Sequence, residues 1–329
     1  MQKHTPVHQA SKTRRHTINP DWIILIVGAI TALIIALTIP RFLTLSNLSS
    51  IFTQACSVGL MAMGLTFVMI TAGIDLSLPT LMALSAIVGC KVMAATQSTF
   101  LGVLVIVAVG GLVGCINGFS VAKLRMVPMI VTLAIATING GLSNWITGAK
   151  SIAGLPDSFS TIFAGKLLGI PVQGIFLLFM AVVMHLLLSK TIFGQHLFQV
   201  GVNEKAAQVN GVHTRKIIFT IYLISGLLAG TAGVFSAARL NAAGPTMGPQ
   251  SAFNDIVCAT VLGGASVMGG KGSIPGTLLG SLFIVIISNA MTLLNVDFFV
   301  TYIVKGAIII LITYLDVLKH QLAERRVAK

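Results

Sequence analysis

Of 329 residues, 55% are hydrophobic and only 9% charged, against about 25% charged in an average soluble domain, and mean hydropathy is +0.96. This excludes an ordinary soluble enzyme, which needs a polar surface, and a disordered chain, which needs low hydrophobicity. The balance of 21 Lys+Arg against 8 Asp+Glu, a net charge of +13, must be tested against a membrane before nucleic acid is considered, because basic residues gather on its cytoplasmic side.

The apolar runs are continuous rather than alternating, which argues against a porin-type barrel. The fold class predicted is all-α, a polytopic membrane bundle of about ten helices. A polar tail, residues 1–20, carries Lys3, Lys12, Arg14 and Arg15; no small-residue cleavage site follows cleanly, so the next segment reads as a retained anchor. A membrane-spanning helix needs about 20 mostly apolar residues. In chain order the candidates are Trp22–Ile39, Ile51–Ala72, Leu78–Ala95, Phe100–Ala122 and Val127–Thr147, then Pro171–Leu188, Ile217–Ala238, Ser251–Met268, Ile274–Leu294 and Phe298–Leu315. They give a transmembrane domain over 21–315, interrupted by a long loop at 189–216 and followed by a tail, 316–329. The eighth becomes apolar only at Ile256, the pattern of a short or re-entrant helix, which is tolerated where it packs in protein or lines a cavity.

With the N-terminus in the cytoplasm and the spans alternating, fifteen cations fall inside. Four (Arg41, Lys150, Lys166 and Arg239) fall outside, and Lys91 and Lys305 lie within spans. This predicts an N-in, C-in chain and explains the charge without a nucleic-acid partner. Lys91, near the outer end of its span, can snorkel. Lys305 is deeper, and reads either as a functional or paired residue or as a second snorkelling lysine. Cys56, Cys90, Cys115 and Cys258 sit in apolar stretches without metal-ligand spacing, as small buried hydrophobes. His185, His196 and His213 share no ligand spacing either, so no metal site or cofactor is expected. The spacings Gly110-x-x-x-Gly114-x-x-x-Gly118, Gly226-x-x-x-Gly230 and Gly276-x-x-x-Gly280 allow close helix approach. A short echo, Ser77-Leu78-Pro79 with Ser273-Ile274-Pro275 and Ser85 with Ser281, runs at a constant offset of 196 residues, as a parallel internal repeat would.

Four stretches carry more than membrane physics. Thr71-Ala72-Gly73-Ile74-Asp75-Leu76-Ser77 places an acid between two spans; Asp75 and Ser77 can cap the next helix, and Pro79 suits its first turn. In the second, Asn117 and Gly118 lie near the end of a glycine-rich span, where Asn117 can hydrogen-bond between helices. The third lies in the 189–216 loop, with Gly194 early and Gly201-Val202-Asn203-Glu204-Lys205-Ala206-Ala207 later. Asn203 is an N-cap, Glu204 favours the positive helix end, Ala206 and Ala207 are helix formers, and Gly211 is a stop. A helix of about two turns is unstable alone in water, so the bundle or a partner must hold it. The fourth is Asp255 followed by Leu262-Gly263-Gly264-Ala265-Ser266-Val267-Met268-Gly269-Gly270-Lys271-Gly272. A phosphate-binding loop needs Gly where Ala265 stands and Ser or Thr where Gly272 stands, so that reading fails. These glycines instead let the backbone turn and pack.

At these stretches the chain resembles the permease subunits of bacterial ATP-binding-cassette sugar importers, the ribose/xylose/arabinose/autoinducer-2 family. The family segments T-x-G-I-D-L-S, N-G-x-x-V-A-K-L, G-x-N-x-x-A-A-x-x-x-G-I and I-G-G-x-S-x-x-G-G-x-G correspond to Thr71–Ser77, Asn117–Leu124, Gly201–Val212 and Leu262–Gly272. The resemblance marks Gly73, Asp75, Ser77, Asn117, Gly118, Asp255, Gly263 and Gly264 as family positions. It departs at Leu78-Pro79-Thr80, at Gln195 and at Phe253-Asn254, where the family has Val-Gly-Ser, Arg and Glu-Leu. These departures leave open whether the second permease subunit is the same or a related chain.

The resemblance implies a multi-pass protein of the bacterial inner membrane that forms half of a path for a monosaccharide or similar small polar solute. It implies no enzymatic activity in this chain, an ATP-binding-cassette ATPase with tandem cassettes, and a periplasmic sugar-binding protein. The ATPase-coupling loop would comprise Gly194, Gly201, Asn203, Glu204, Ala206, Ala207 and Gly211. The alternative is an ion-coupled secondary transporter, which usually needs intramembrane acids; only Asp75, Asp255 and Asp297 lie near the membrane, all close to span ends. A membrane enzyme should gather His, Asp or Ser at one depth, and no such constellation is visible.

Overall fold

The computed structural model describes residues 33–249, 252–297, 299–307, 310 and 314. Its architecture is a helical bundle. Seven helices among the described residues are long and apolar enough to cross a membrane: α1 (Leu45–Ile70), α2 (Leu78–Thr96), α3 (Thr99–Ala122), α4 (Pro128–Thr147), α6 (Val172–Lys190), α9 (Thr214–Leu240) and α11 (Ile274–Leu293). Between them lie α5 (Asp157–Phe163), α7 (Ile192–Val202), α8 (Glu204–Val209) and α10 (Ala252–Leu262). A two-residue hairpin pairs β1 (Lys166–Leu167) with β2 (Ile170–Pro171) across a turn with positive φ at Leu168 and Gly169. The first expected span lies mostly outside the described residues, and of the tenth 299–307 are described as helical. The eighth differs from a full span. α10 has 11 residues, about 16 Å at 1.5 Å per residue, shorter than a hydrocarbon core of about 30 Å; the non-helical loop after it continues to the end of α1, where Gly270 N bonds Ile70 O.

Helix ends follow local chemistry. Thr44 and Ser98 accept hydrogen bonds from Asn47 N and Leu101 N at the starts of α1 and α3. Pro79, Pro128 and Pro275 occupy first-turn positions of α2, α4 and α11. Gly148 ends α4 in the left-handed conformation, with φ of +60°.

α1 is the central helix. Every residue from Gly59 to Ile70 is buried, which fits a segment apolar on all sides. It packs against α9, α11, α10 and α6, and α9 in turn packs against α3 and α2. The α3–α9 seam uses the predicted glycine spacing. A Cβ on Gly226 would lie 2.4 Å from Gly110 O, and one on Gly114 2.6 Å from Tyr222 O. Only backbone fits there, so the two axes approach to small-residue distance. The outward sides of α4 and α6 expose Leu133, Ile138, Trp145, Leu178 and Phe179, as a lipid-facing surface should. Cys56, Cys90 and Cys258 are buried and Cys115 is half-buried.

Two sets of connections gather at separate places on the bundle. Arg125, after α3, pairs with Glu204 of α8, and Gly201 of α7 abuts Gly270 of the loop before α11. Elsewhere Ile152 forms an isolated antiparallel bridge with Ala243, tying the segment after α4 to the one after α9. The internal echo shows in the starts of α2 and α11, each preceded by Ser. It fails one element earlier, where 26-residue α1 corresponds to a region holding 11-residue α10.

Candidate functional site

The first two motifs meet in a buried polar node. α1 ends at Ile70, and the chain turns through Ala72, with φ of 57°, into a short extended segment before α2. Gly73 fits here because a Cβ would lie 2.9 Å from the Tyr222 hydroxyl and 3.0 Å from Val68 Cγ1. Asp75 Oδ1 accepts from Ser77 N at 3.0 Å and Ser77 Oγ at 2.6 Å, and Asp75 Oδ2 accepts from Ser225 Oγ of α9 at 3.3 Å. Asn117 Nδ2 of α3 donates to Ser77 Oγ at 3.0 Å. The Thr132 hydroxyl of α4 accepts from Leu76 N at 3.1 Å and lies 3.2 Å from Ile74 O, to which it can donate.

Ser77 therefore stands at the N-cap position without the predicted cap bond; its hydroxyl is taken by Asp75. One carboxylate thus links the α1–α2 connection to α9, and through Ser77 to α3. In a low-dielectric interior such a network fixes one arrangement of the helices it joins. Asn117 Oδ1 and the Tyr222 hydroxyl, both buried at the node, have no partner among the described residues. Gly118 lies one residue on, where a Cβ would approach Phe219 O at 2.8 Å.

The third and fourth motifs meet at the C-terminal end of α1. Thr191 caps α7 by accepting from Gly194 N at 3.3 Å, and a Cβ on Gly194 would fall 1.9 Å from Leu188 O. Gly201 is wedged as tightly, 1.9 Å from Ile70 O by the same measure. That carbonyl, exposed by the end of α1, accepts from Gly270 N at 2.8 Å. Gly264, Gly269 and Gly270 have φ of +90°, +85° and +73°, conformations that glycine adopts without strain. A Cβ on Gly263 would meet Thr277 N of α11 at 2.4 Å.

α8 is built as its sequence predicts. Asn203 Oδ1 accepts from Ala206 N at 3.0 Å, and Gly211 follows the helix with φ of +82°. Asn203 as cap is worth about 0.5–2 kcal/mol, too little alone for six residues. The bundle supplies the rest. Glu204 accepts hydrogen bonds from Arg125, from Thr214 at 3.0 Å and from Gln208 at 3.3 Å. Partial burial raises the Glu204 pKa, but the bonds from Arg125 and Thr214 outweigh it and hold the group below its ordinary value. Ala207 is buried, whereas Lys205, Ala206 and Val209 face outward. Val209 is 88% exposed and Val202 76%; Met268, on the neighbouring glycine loop, is 85% exposed. These apolar side chains project from polar connecting loops, the kind of surface a protein partner covers. Residue-type patterning located the loop but not the exposed valines, because exposure depends on which side of α8 meets Arg125.

Asp255 and Lys305, singled out separately in the sequence, form one pair. Lys305 Nζ lies 2.9 Å from Asp255 Oδ2, with side chains 12% and 21% exposed. Asp255 stands in the first turn of α10, where the helix dipole favours an anion. Lys91, by contrast, is exposed and donates to Ile146 O at 3.4 Å.

A family model described as branched-chain amino acid transport system / permease component matches residues 47–313. The ribose import permease protein of Bacillus subtilis is 37% identical over 289 residues, covering 87% of this chain and 89% of the relative. The D-allose transport system permease protein of Escherichia coli is 36% identical, with 88% and 89% covered. The L-arabinose ABC transporter permease protein of Azospirillum brasilense is 33% identical, with 90% and 86% covered. No solved structure gives a significant match.

Proposed function

Since the chain belongs to the family of transport-system permease components whose model spans 47–313, we propose that it forms the translocation path of an ATP-driven importer of a monosaccharide or similar small polar solute. The observation that carries this is the run of relatives, named as permeases for ribose, allose and arabinose, that align over nearly nine-tenths of the chain. Permeases of this family move solute and are not themselves enzymes; ATP hydrolysis is assigned to a separate cassette subunit. A second permease subunit completes the path, and a periplasmic sugar-binding protein delivers the solute at the opposite face.

The loop at 189–216 docks the ATPase. Val202, Lys205, Ala206 and Val209 form the contact. Gly194, Gly201, Asn203, Glu204, Ala207 and Gly211 shape the loop and hold it to the bundle. Two observations support this division: Ala207 and Glu204 are engaged inside the chain, whereas the valines have open surroundings. The orientation proposed is N-in and C-in in the bacterial inner membrane, with α10 short and the loop cytoplasmic. The one-sided charge supports it, as does the Arg125–Glu204 pair, which joins two connections assigned to the same side.

A pull-down of the chain from membranes should recover a protein with two ATP-binding cassettes. Reporters fused after Lys216 and Lys150 should read cytoplasm and periplasm respectively. Recovery of no ATPase, with uptake driven by a proton gradient in vesicles, would establish a secondary transporter instead.

A further inference from the structure

A groove of about 420 Å³ opens between the ends of α3 and α9, lined by Phe119, Lys123, Arg215, Lys216, Phe219 and Thr220. Among the described residues its three cations have no carboxylate partner; the two ion pairs there lie elsewhere. Lys123 rests 5.4 Å from the centroid of the Phe119 ring. Arg215 and Lys216 stand in the first turn of α9, which contains no acidic residue. Cations there oppose the helix dipole, so this end of the bundle is charged against its own backbone field, and a bound anion would relieve it.

The surroundings identify the kind of anion. Leu112, Ile116 and Phe119 follow helical spacing along α3 towards Lys123, and all three are exposed. The stripe is apolar over the last turns of the span and cationic where the helix ends, as the upper part of an acyl chain and its headgroup would require. We propose that this groove binds the phosphodiester headgroup of an anionic phospholipid, with one acyl chain lying along Leu112 and Ile116. Lys123, Arg215 and Lys216 neutralise the phosphate, and Thr220 stands within the groove as a hydroxyl. The site belongs to the membrane-facing flank and does not depend on which solute the protein carries.

The test uses the full chain in nanodiscs of phosphatidylcholine doped with fluorescent phosphatidylglycerol, with lipid proximity read by energy transfer from a dye on the protein. A cation beside an anionic membrane surface is worth about five-fold in affinity. The K123Q/R215Q/K216Q variant should therefore lose about two orders of magnitude of its preference for phosphatidylglycerol. The charge-preserving K123R/R215K/K216R variant should keep most of that preference, and K190Q/K271Q, which removes cations outside the groove, should keep it. Equal retention by the neutralised groove overturns the proposal, as does an equal loss in K190Q/K271Q. Displacement of the lipid by millimolar inorganic phosphate would show a free-anion site instead, and a signal present only when two copies associate would assign the groove to a subunit contact.

Discussion

Lys305→Met should destabilise the bundle by more than the loss of one exposed lysine could explain. Lys305 Nζ and Asp255 Oδ2 are 2.9 Å apart; at an effective dielectric of about 20 they attract by about 6 kcal/mol. Most of that offsets the cost of removing both charges from water. The net worth of the pair is therefore small, while the cost of breaking it is large. Removing the lysine leaves the Asp255 charge stranded beside the packed start of α10, at about 3–5 kcal/mol. Asp255→Asn should cost a similar amount by stranding the ammonium. In the Asp255→Asn/Lys305→Met double variant no charge is stranded, so the combined loss should be smaller than either single loss. Reversible unfolding of the purified protein in mixed detergent micelles, with all four forms on one denaturant scale, gives the interaction energy directly. Additive losses, with an interaction energy within about 0.5 kcal/mol of zero, would show that the two charges act independently and would refute the pairing argument.

Val209→Asp or Val202→Asp should leave insertion and thermal stability unchanged, because both side chains are exposed. Each should weaken ATPase capture at least ten-fold, about 1.4 kcal/mol, in a surface-plasmon titration; unchanged capture would remove the valines from the docking surface. Gly226→Val should lower the melting temperature of the bundle, because its Cβ would stand 2.4 Å from Gly110 O. Overpacking of this kind costs about 1–3 kcal/mol or more. Gly140→Ala, with no atom within 4 Å of the added carbon, should instead be neutral or slightly stabilising. Glu204 has a pKa held below its unfolded value, so its tie to Arg125 contributes at pH above the ordinary carboxylate range and is lost as pH falls through the depressed value. Protease nicking at 203–210 should rise on acidification in the native chain and be pH-independent in Glu204→Gln, apart from the protease's own profile; matching profiles would contradict this assignment.

The sequence made legible whatever depends on residue type and short spacing. Asn203, Glu204 and Gly211 predict α8 because capping and stopping a helix are local events. The glycine triplet from Gly110 to Gly118 predicts a close helix contact because only small side chains permit one. What it could not supply was partnership across distance. Asp75 and Asn117 were separate polar residues until folding placed Ser77 between them, and Ser225, 150 residues further along, closed the node. Asp255 and Lys305 are likewise unrelated in sequence, one a family position and the other a deep lysine. Their pairing rests on where a short helix meets the segment 299–307, which no periodicity records. The seven-residue α5 and the β1–β2 hairpin leave no such signal either, since two turns of helix and a two-residue strand pair are too short to show a period.

The same long-range placement gives the end of α1 a role its composition conceals. Ile70 is an ordinary buried apolar residue by type, yet its carbonyl is the point where Gly270 donates and Gly201 is wedged. From there the chain runs only a few residues to Asp75. A partner pressing on α8 would meet Val209 and Val202 first. It would next meet Gly201, which has no side chain to yield and no gap before the α1 carbonyl. Interiors packed to this density transmit displacement rather than absorb it. α1 also touches α9, α10 and α11, so movement at its C-terminal end is shared by the helices that carry Ser225, Asp255 and Thr277. Glycines at the contact and a hydrogen-bonded carboxylate behind it therefore form a short mechanical path from the connecting loops to the centre of the bundle.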